Sequence, residues 1–207
     1  HKIEVIGDAY FVVSGAPSME ANQGRTADEN AGFAAETALD MVRAVSEVCD
    51  DPDVRIRVGI HSGNVIGGVV GQKDPRFHLF GHTVDLANKM EEYGEPDKVH
   101  ASLQCHDRLM RLQQQHKLDH PNARPLFETE DRGKIDISSE TAPVQTFFVL
   151  KSSFGRAYRS KERRQLKEER GTNFRSLRRN MSRGSSIMNT KKQPKKETTI
   201  PKTITEQ

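Results

Sequence analysis

The chain has 207 residues, 34% hydrophobic and 29% charged, enough for one ordinary domain and an extension. Its net charge of +3 hides a division, because residues 151–207 carry 17 Lys and Arg against 5 Glu while residues 1–150 carry 15 basic against 24 acidic residues. No apolar run approaches the roughly 18–20 residues of a membrane span, no signal peptide opens the chain, and the missing initiator Met and strand-like start read as a fragment.

The pattern predicts strands at Lys2–Ile6 and Ala9–Ser14, joined as a hairpin through Gly7-Asp8. Residues 15–30 are rich in Gly, Pro, Asn and Asp and read mainly as loop. From about Thr26 to Val48, Phe33, Leu39, Val42 and Val45 recur at helical spacing, and Asp50-Asp51-Pro52 closes that helix. Val54–Ile60 alternates Val and Ile with Arg, as a half-buried strand does. Further strands are expected at Val65–Val70 and Phe77–Phe80, then a helix over Thr83–Tyr93 stopped by Gly94.

Val99–Ser102 reads as a strand whose last residue caps a helix running to about Gln115. Residues 116–130 look irregular, and Gly133–Ile137 and Gln145–Lys151 complete the set as two antiparallel strands. This order gives an α/β sandwich, one helical layer on a mostly antiparallel sheet. Ser160–Arg170 can form a charged helix, and residues 171–207 have the composition of a disordered segment. The domain is therefore expected at 1–151 and a basic, largely disordered tail at 152–207.

Cys49 and Cys105 lie in no metal-ligand or Cys-x-x-Cys spacing and read as ordinary thiols of a reducing compartment. Taken singly, the polar residues are ambiguous. Asp8 can be a turn residue or a projecting carboxylate. Arg57, inside an apolar strand, can be an outward-facing charge. The series Gly59, Gly63, Gly67, Gly68 and Gly71 lacks the Gly-x-x-x-x-Gly-Lys pattern of a phosphate loop. By spacing alone this is an α/β domain able to bind an anion.

Longer runs are more specific. IEVIGDAYFVVSGAP, RIRVGIHSG, GVVG and LFGHTVDLANKME, followed by RGKIDI and VQTFFVL, closely resemble the catalytic domain of class III adenylate and guanylate cyclases over residues 2–151. The resemblance implies a ferredoxin-like α/β sandwich and an active site shared by two domains packed head to tail. One half supplies two metal-binding aspartates and a phosphate-binding arginine. The other supplies purine contacts and a catalytic Asn, Arg and Lys. On this basis Asp8, after Gly7, matches the second metal aspartate, and Arg57 the phosphate arginine. The first metal aspartate belongs to sequence N-terminal to His1.

The complementary half is degraded in this chain. Where the family writes TVN-x-ASR, this sequence has TVDLANK, with Asp85 for the Asn, Asn88 for the Ser and Lys89 for the Arg. Asp85 brings negative charge towards a triphosphate, and Lys89 lacks the planar fork of Arg. The late catalytic Lys aligns with Ser138. Leu86-Ala87-Asn88 resembles the metal-side partner of heterodimeric cyclases. Glu4 matches the guanine-selecting glutamate, with His78 at the position of its usual companion. Both can belong to the pseudo-symmetric second pocket.

The resulting expectation is a half-site subunit that makes cyclic GMP from GTP with Mg²⁺ or Mn²⁺, in partnership with a second cyclase domain supplying Asn, Arg and Lys. Adenylate cyclisation of ATP and a non-catalytic module that binds nucleotide and regulates a partner are the alternatives. Nucleic acid is not an expected partner, because the tail is nearly devoid of aromatic residues for stacking. The resemblance implies a cytoplasmic domain, and it leaves a membrane-bound parent open. The tail's charge fits an anionic membrane surface, and Ser182, after Arg178-Arg179, fits a basic-directed kinase.

Overall fold

A computed structural model describes residues 1–16, 24–51, 53–137 and 142–163. Residues His1–Lys161 form one compact unit. Eleven elements succeed one another in it: β1 (Lys2–Ile6), β2 (Ala9–Val12), α1 (Ala27–Val48), β3 (Val58–Ile60), β4 (Ile66–Val70), β5 (Arg76–Phe80), α2 (His82–Glu92), β6 (Val99–Ser102), α3 (Leu103–Asp119), β7 (Phe127–Ile135) and β8 (Val144–Ser152). Residues 154–163 are helical and are called α4.

Local chemistry explains the starts of the helices. Thr26 caps α1: its hydroxyl accepts from Glu29 N, and the Glu29 carboxylate accepts from Thr26 N, so two otherwise orphaned donors are satisfied reciprocally. Ser102 caps α3 by accepting from Cys105 N. Asp28, in the first turn of α1, accepts from both Arg108 and Arg111 of α3 at 3.0 Å. The hydrogen bond from Arg111, with help from Arg108, holds its carboxyl below the usual range.

A four-stranded sheet in the order β3-β6-β8-β7 is the centre of the unit. Only the β3–β6 pair is parallel. On one face, Val99, Ala101 and Val149 pack with Ala31, Ala35 and Ala38 of α1 and with Cys105 and Leu109 of α3. Alanines on α1 let that helix lie close to the sheet. Successive strand residues face opposite ways, so His100 turns to the other face. There its Nδ1 is 2.7 Å from the carbonyl of Met90 in α2. The helices thus occupy both faces rather than the single layer expected from sequence.

β1–β2 and β4–β5 are separate two-stranded antiparallel hairpins. Several of their apolar residues are exposed, including Val5, Ile6, Tyr10, Ile66, Val69 and Val70.

Other boundaries differ in instructive ways. The strand expected over Val54–Ile60 enters the ladder with β6 at Val58; before it the Ile56 carbonyl accepts from Asp97 N at 2.7 Å, and the flanking arginines form ion pairs, Arg55 with Asp97 and Arg57 with Glu91. α3 runs on to Asp119, and β7 begins at Phe127, whose N–H donates to the Gln113 side chain. The sequence pattern treated residues 116–130 as irregular.

The largest difference is at the end of the domain. β8 continues to Ser152, and Phe154, 4% exposed, lies in the core cluster with Phe127 and Ala35. Phe154 and Tyr158 both meet the Phe33 ring edge-on, at 5.1 and 4.8 Å between centroids. The Arg25 guanidinium covers the Phe33 ring at 4.2 Å. The folded body therefore passes the boundary expected at residue 151. The expected disorder of 171–207, the membrane contact and Ser182 concern residues outside those described.

Removing a buried Phe side chain costs about 3–5 kcal/mol. Phe154→Ala is accordingly expected to lower the unfolding free energy in urea by about 3 kcal/mol. Unchanged stability would return the boundary to residue 151.

Candidate active site

The residues singled out from sequence fall on the two hairpins, the start of β3 and α2. Ile6 pairs with Ala9, which leaves Gly7 and Asp8 as a two-residue turn. Gly7 has φ +62, and Asp8 is not in the positive-φ region, the pattern of a turn whose first central residue must be glycine. A Cβ on Gly7 would meet nothing within 4 Å, so backbone conformation, not space, demands glycine there. Asp8 is exposed at the tip.

Glu4 on β1 and His78 on β5 come together across the two hairpins, with His78 Nδ1 3.3 Å from Glu4 Oε2. Both are about a quarter exposed, so the pair is accessible from one side. Sequence reasoning named both residues, and the fold joins them.

Arg57 immediately precedes β3. Its Nε donates to Glu91 Oε1 of α2 at 2.8 Å. Lys89 donates to Glu92 at 2.7 Å, and that hydrogen bond holds its ammonium above the ordinary lysine range. Asp85 is exposed in the first turn of α2 and forms no ion pair among the described residues. Ser138 lies outside the described residues.

A carboxylate oxygen is a suitable donor for a hard divalent cation, and Asp8 is placed to offer one. Among the described residues no group of three or more His, Cys, Asp or Glu side chains is arranged to hold a metal ion. Asp8 thus fits as one ligand of a site whose other oxygens come from elsewhere, such as a nucleotide's phosphates.

Three partly or fully buried histidines that the sequence did not signal make polar or stacking contacts. His61 Nδ1 is 2.7 Å from Ser102 Oγ, the same oxygen that caps α3. Burial, and to a lesser extent His82, push the His61 pKa down to about 4. Burial likewise lowers His100, whose Nδ1 faces a carbonyl and whose Nε2 faces Arg132 at 3.4 Å. His106, stacked on Phe147 at 3.7 Å, is lowered for the same reason. The buried Cys105 thiol is pushed up to about 11, which leaves it un-ionised and unreactive.

The comparisons agree with this architecture. The model of the adenylate and guanylate cyclase catalytic domain matches residues 1–151. The chain is 37% identical over 153 residues to guanylate cyclase soluble subunit beta-2 of Rattus norvegicus, covering 73% of this chain and 20% of that protein. It is 40% identical over 155 residues to a receptor-type guanylate cyclase of Caenorhabditis elegans, covering 73% and 10%. The chain thus spans a fifth or less of the length of these relatives. Among solved structures, the guanylate cyclase domain of RhGC from Catenaria anguillulae, in complex with GTP, is similar with a TM-score of 0.59 at 26% identity, covering 74% of this chain and 73% of that one.

This chain belongs to the adenylate and guanylate cyclase catalytic domain family. Domains of this class work with divalent metal ions. Among the described residues no helix is long and apolar enough to cross a membrane.

His61, His100 and His106 all have folded pKa values below the unfolded value of 6.5. The unfolded chain then binds more protons, so stability is complete above about pH 6.5 and declines as pH falls towards 4. For half-buried His61 the loss by pH 5 is on the order of 1–2 kcal/mol after allowance for solvent screening. The urea midpoint is expected to fall between pH 7 and pH 5, and His61→Gln to flatten the fall. A midpoint constant across that range would contradict the assignment.

Proposed function

We propose that this chain is the metal-side half of a guanylate cyclase, converting GTP to cyclic GMP and pyrophosphate together with a complementary cyclase domain. The observation that carries the reading is an exposed carboxylate, Asp8, at the glycine turn of a hairpin in a cyclase catalytic domain whose similar relatives bear the name guanylate cyclase.

The ribose 3′-oxygen attacks the α-phosphorus, and pyrophosphate leaves. Mg²⁺ or Mn²⁺, when bound, lowers the pKa of the attacking hydroxyl and neutralises phosphate charge. Asp8 would hold the ion through a carboxylate oxygen. Arg57 presents a fixed positive fork to the polyphosphate. Glu4 and His78 form an acceptor-lined edge for a purine, at the working site or its pseudo-symmetric counterpart.

α2 supplies none of the complementary chemistry. Asp85 adds negative charge at the position of the Asn, and Lys89, paired with Glu92, lacks the planar fork of Arg. The missing Asn, Arg and Lys come from the partner domain. Exposed apolar residues on both hairpins, such as Val5, Ile6, Ile66 and Val69, suit burial against it. The domain is cytoplasmic in this reading, and the basic segment 164–207 is dispensable for the chemistry.

A second reading, a non-catalytic module that binds nucleotide and regulates a partner, is favoured by the same Asp85 and Lys89. Activity separates the two. The complete protein alone is expected to form no appreciable cyclic nucleotide from GTP or ATP with Mg²⁺ or Mn²⁺, and a domain carrying Asn, Arg and Lys is expected to restore it. Robust turnover by the purified homodimer would sink the half-site reading, and silence with every complementary domain would favour the module.

Within an active complex, Asp8→Asn should cost about a hundredfold or more in rate, since the charge that holds the cation is lost. Its thermal stability should be unchanged because the side chain is exposed. Near-normal activity with intact metal dependence would reduce Asp8 to a turn residue.

A further inference from the structure

Arg57 and Glu91 are 34 positions apart, and no motif couples them. Their contact has a specific geometry. The carboxylate accepts from Nε of Arg57 at 2.8 Å, and the Arg57 side chain makes no other hydrogen bond among the described residues. A guanidinium carries five N–H donors in one plane. An acceptor at Nε fixes the orientation of that plane while the edge formed by the two terminal nitrogens stays available. That edge matches two oxygens of a phosphate.

The contact is a product of backbone packing. A Cβ on Gly59 would overlap Glu91 N and would lie 2.6 Å from the Ala87 carbonyl oxygen and the Met90 carbonyl carbon. The backbone of α2 therefore rests on β3, and the Glu91 side chain is delivered to Arg57, two residues before Gly59. The neighbouring acidic residues are otherwise engaged, Glu92 with Lys89 and Glu95 with Lys98. Both partners in the pair are nearly half exposed, 47% for Arg57 and 46% for Glu91, so the contact contributes little to folding. Its value lies in orientation: Glu91 removes part of the rotamer freedom of the Arg57 side chain before any ligand arrives.

We propose that Glu91 is the positioning residue for Arg57, holding the guanidinium through Nε so that its outer edge meets the phosphate oxygens of a nucleoside triphosphate. The inference rests on the reading of Arg57 as the phosphate arginine. Glu91 itself touches no substrate.

The test uses the complete protein with its complementary domain, comparing Arg57→Ala, Glu91→Ala, Glu91→Gln, Glu91→Asp and the double variant Arg57→Ala/Glu91→Ala. Rates of cyclic GMP formation against GTP concentration, and inhibition by pyrophosphate, are measured for each. Glu91→Ala is expected to lower kcat/KM about tenfold and to weaken pyrophosphate inhibition in parallel. Glu91→Gln keeps an oxygen for Nε and should recover most of the loss. Glu91→Asp keeps the charge and the helix but withdraws the acceptor by one methylene, so it should resemble Ala and serves if the Ala variant fails to fold. In the Arg57→Ala background, Glu91→Ala should add nothing.

Wild-type kinetics for Glu91→Ala or Glu91→Asp beside an inactive Arg57→Ala would overturn the positioning role and leave Arg57 as the phosphate arginine. Additive losses in the double variant would also overturn it, because Glu91 would then act independently of Arg57. Full activity in Arg57→Ala would remove the phosphate reading and this inference with it.

Discussion

Gly59 has no side chain, and the backbone of α2 lies where one would be. That absence sets the position of the helix against β3, and two contacts and the placing of two side chains depend on it. The Met90 carbonyl reaches His100 on the far face of β6. Glu91 reaches Arg57. Asp85 and Lys89 keep their places on the same rigid helix. A methyl group at Gly59 would force the helix outward at a cost of about 1–3 kcal/mol, and every one of these groups would move with it.

The electrostatics of α2 explain why the chain reads as half of a site. Asp85 adds negative charge where the family carries Asn, and Lys89, paired with Glu92, offers a point charge in place of a planar fork. The cationic group that faces a polyphosphate in this reading is Arg57, held on the strand side. In this reading Asp8 and Arg57 serve a metal-bound anion, and α2 does not. Such asymmetry fits two dissimilar domains better than two copies of this one.

What could be read in the sequence was local. The Gly7-Asp8 turn, the helix beginning near Thr26 and the Ser102 cap all involve residues within a few positions of one another, where chemistry and conformation are directly linked. Asp8 and Arg57 were recognised through their surrounding motifs, and Glu4 and His78 as single positions. Their pairing, like that of Arg57 with Glu91, depends on how hairpins and helices meet in space, which no periodicity reports.

The domain boundary was hidden for a related reason. Phe154 and Tyr158 stand among Lys, Arg and Ser, and mean composition concealed an aromatic pair that completes the core. The continuation of α3 to Asp119 escaped because its last turns are polar and draw their support from Gln113 and the start of β7.

The separateness of the two hairpins has a thermodynamic consequence. A two-stranded ribbon is at best marginally stable alone, and here a Glu4–His78 contact at 3.3 Å joins one ribbon to the other. The four-stranded sheet, by contrast, holds residues such as Val99 and Ala101 that are fully buried. Local opening is therefore easiest in the elements that carry Asp8, Glu4 and His78. In the proposed reading, a partner surface that covers Val5, Ile6, Ile66 and Val69 would order those elements, and a ligand gathered by Asp8 would order them too. Each event then lowers the entropic cost of the other, and by linkage the factor by which association tightens nucleotide binding equals the factor by which nucleotide tightens association.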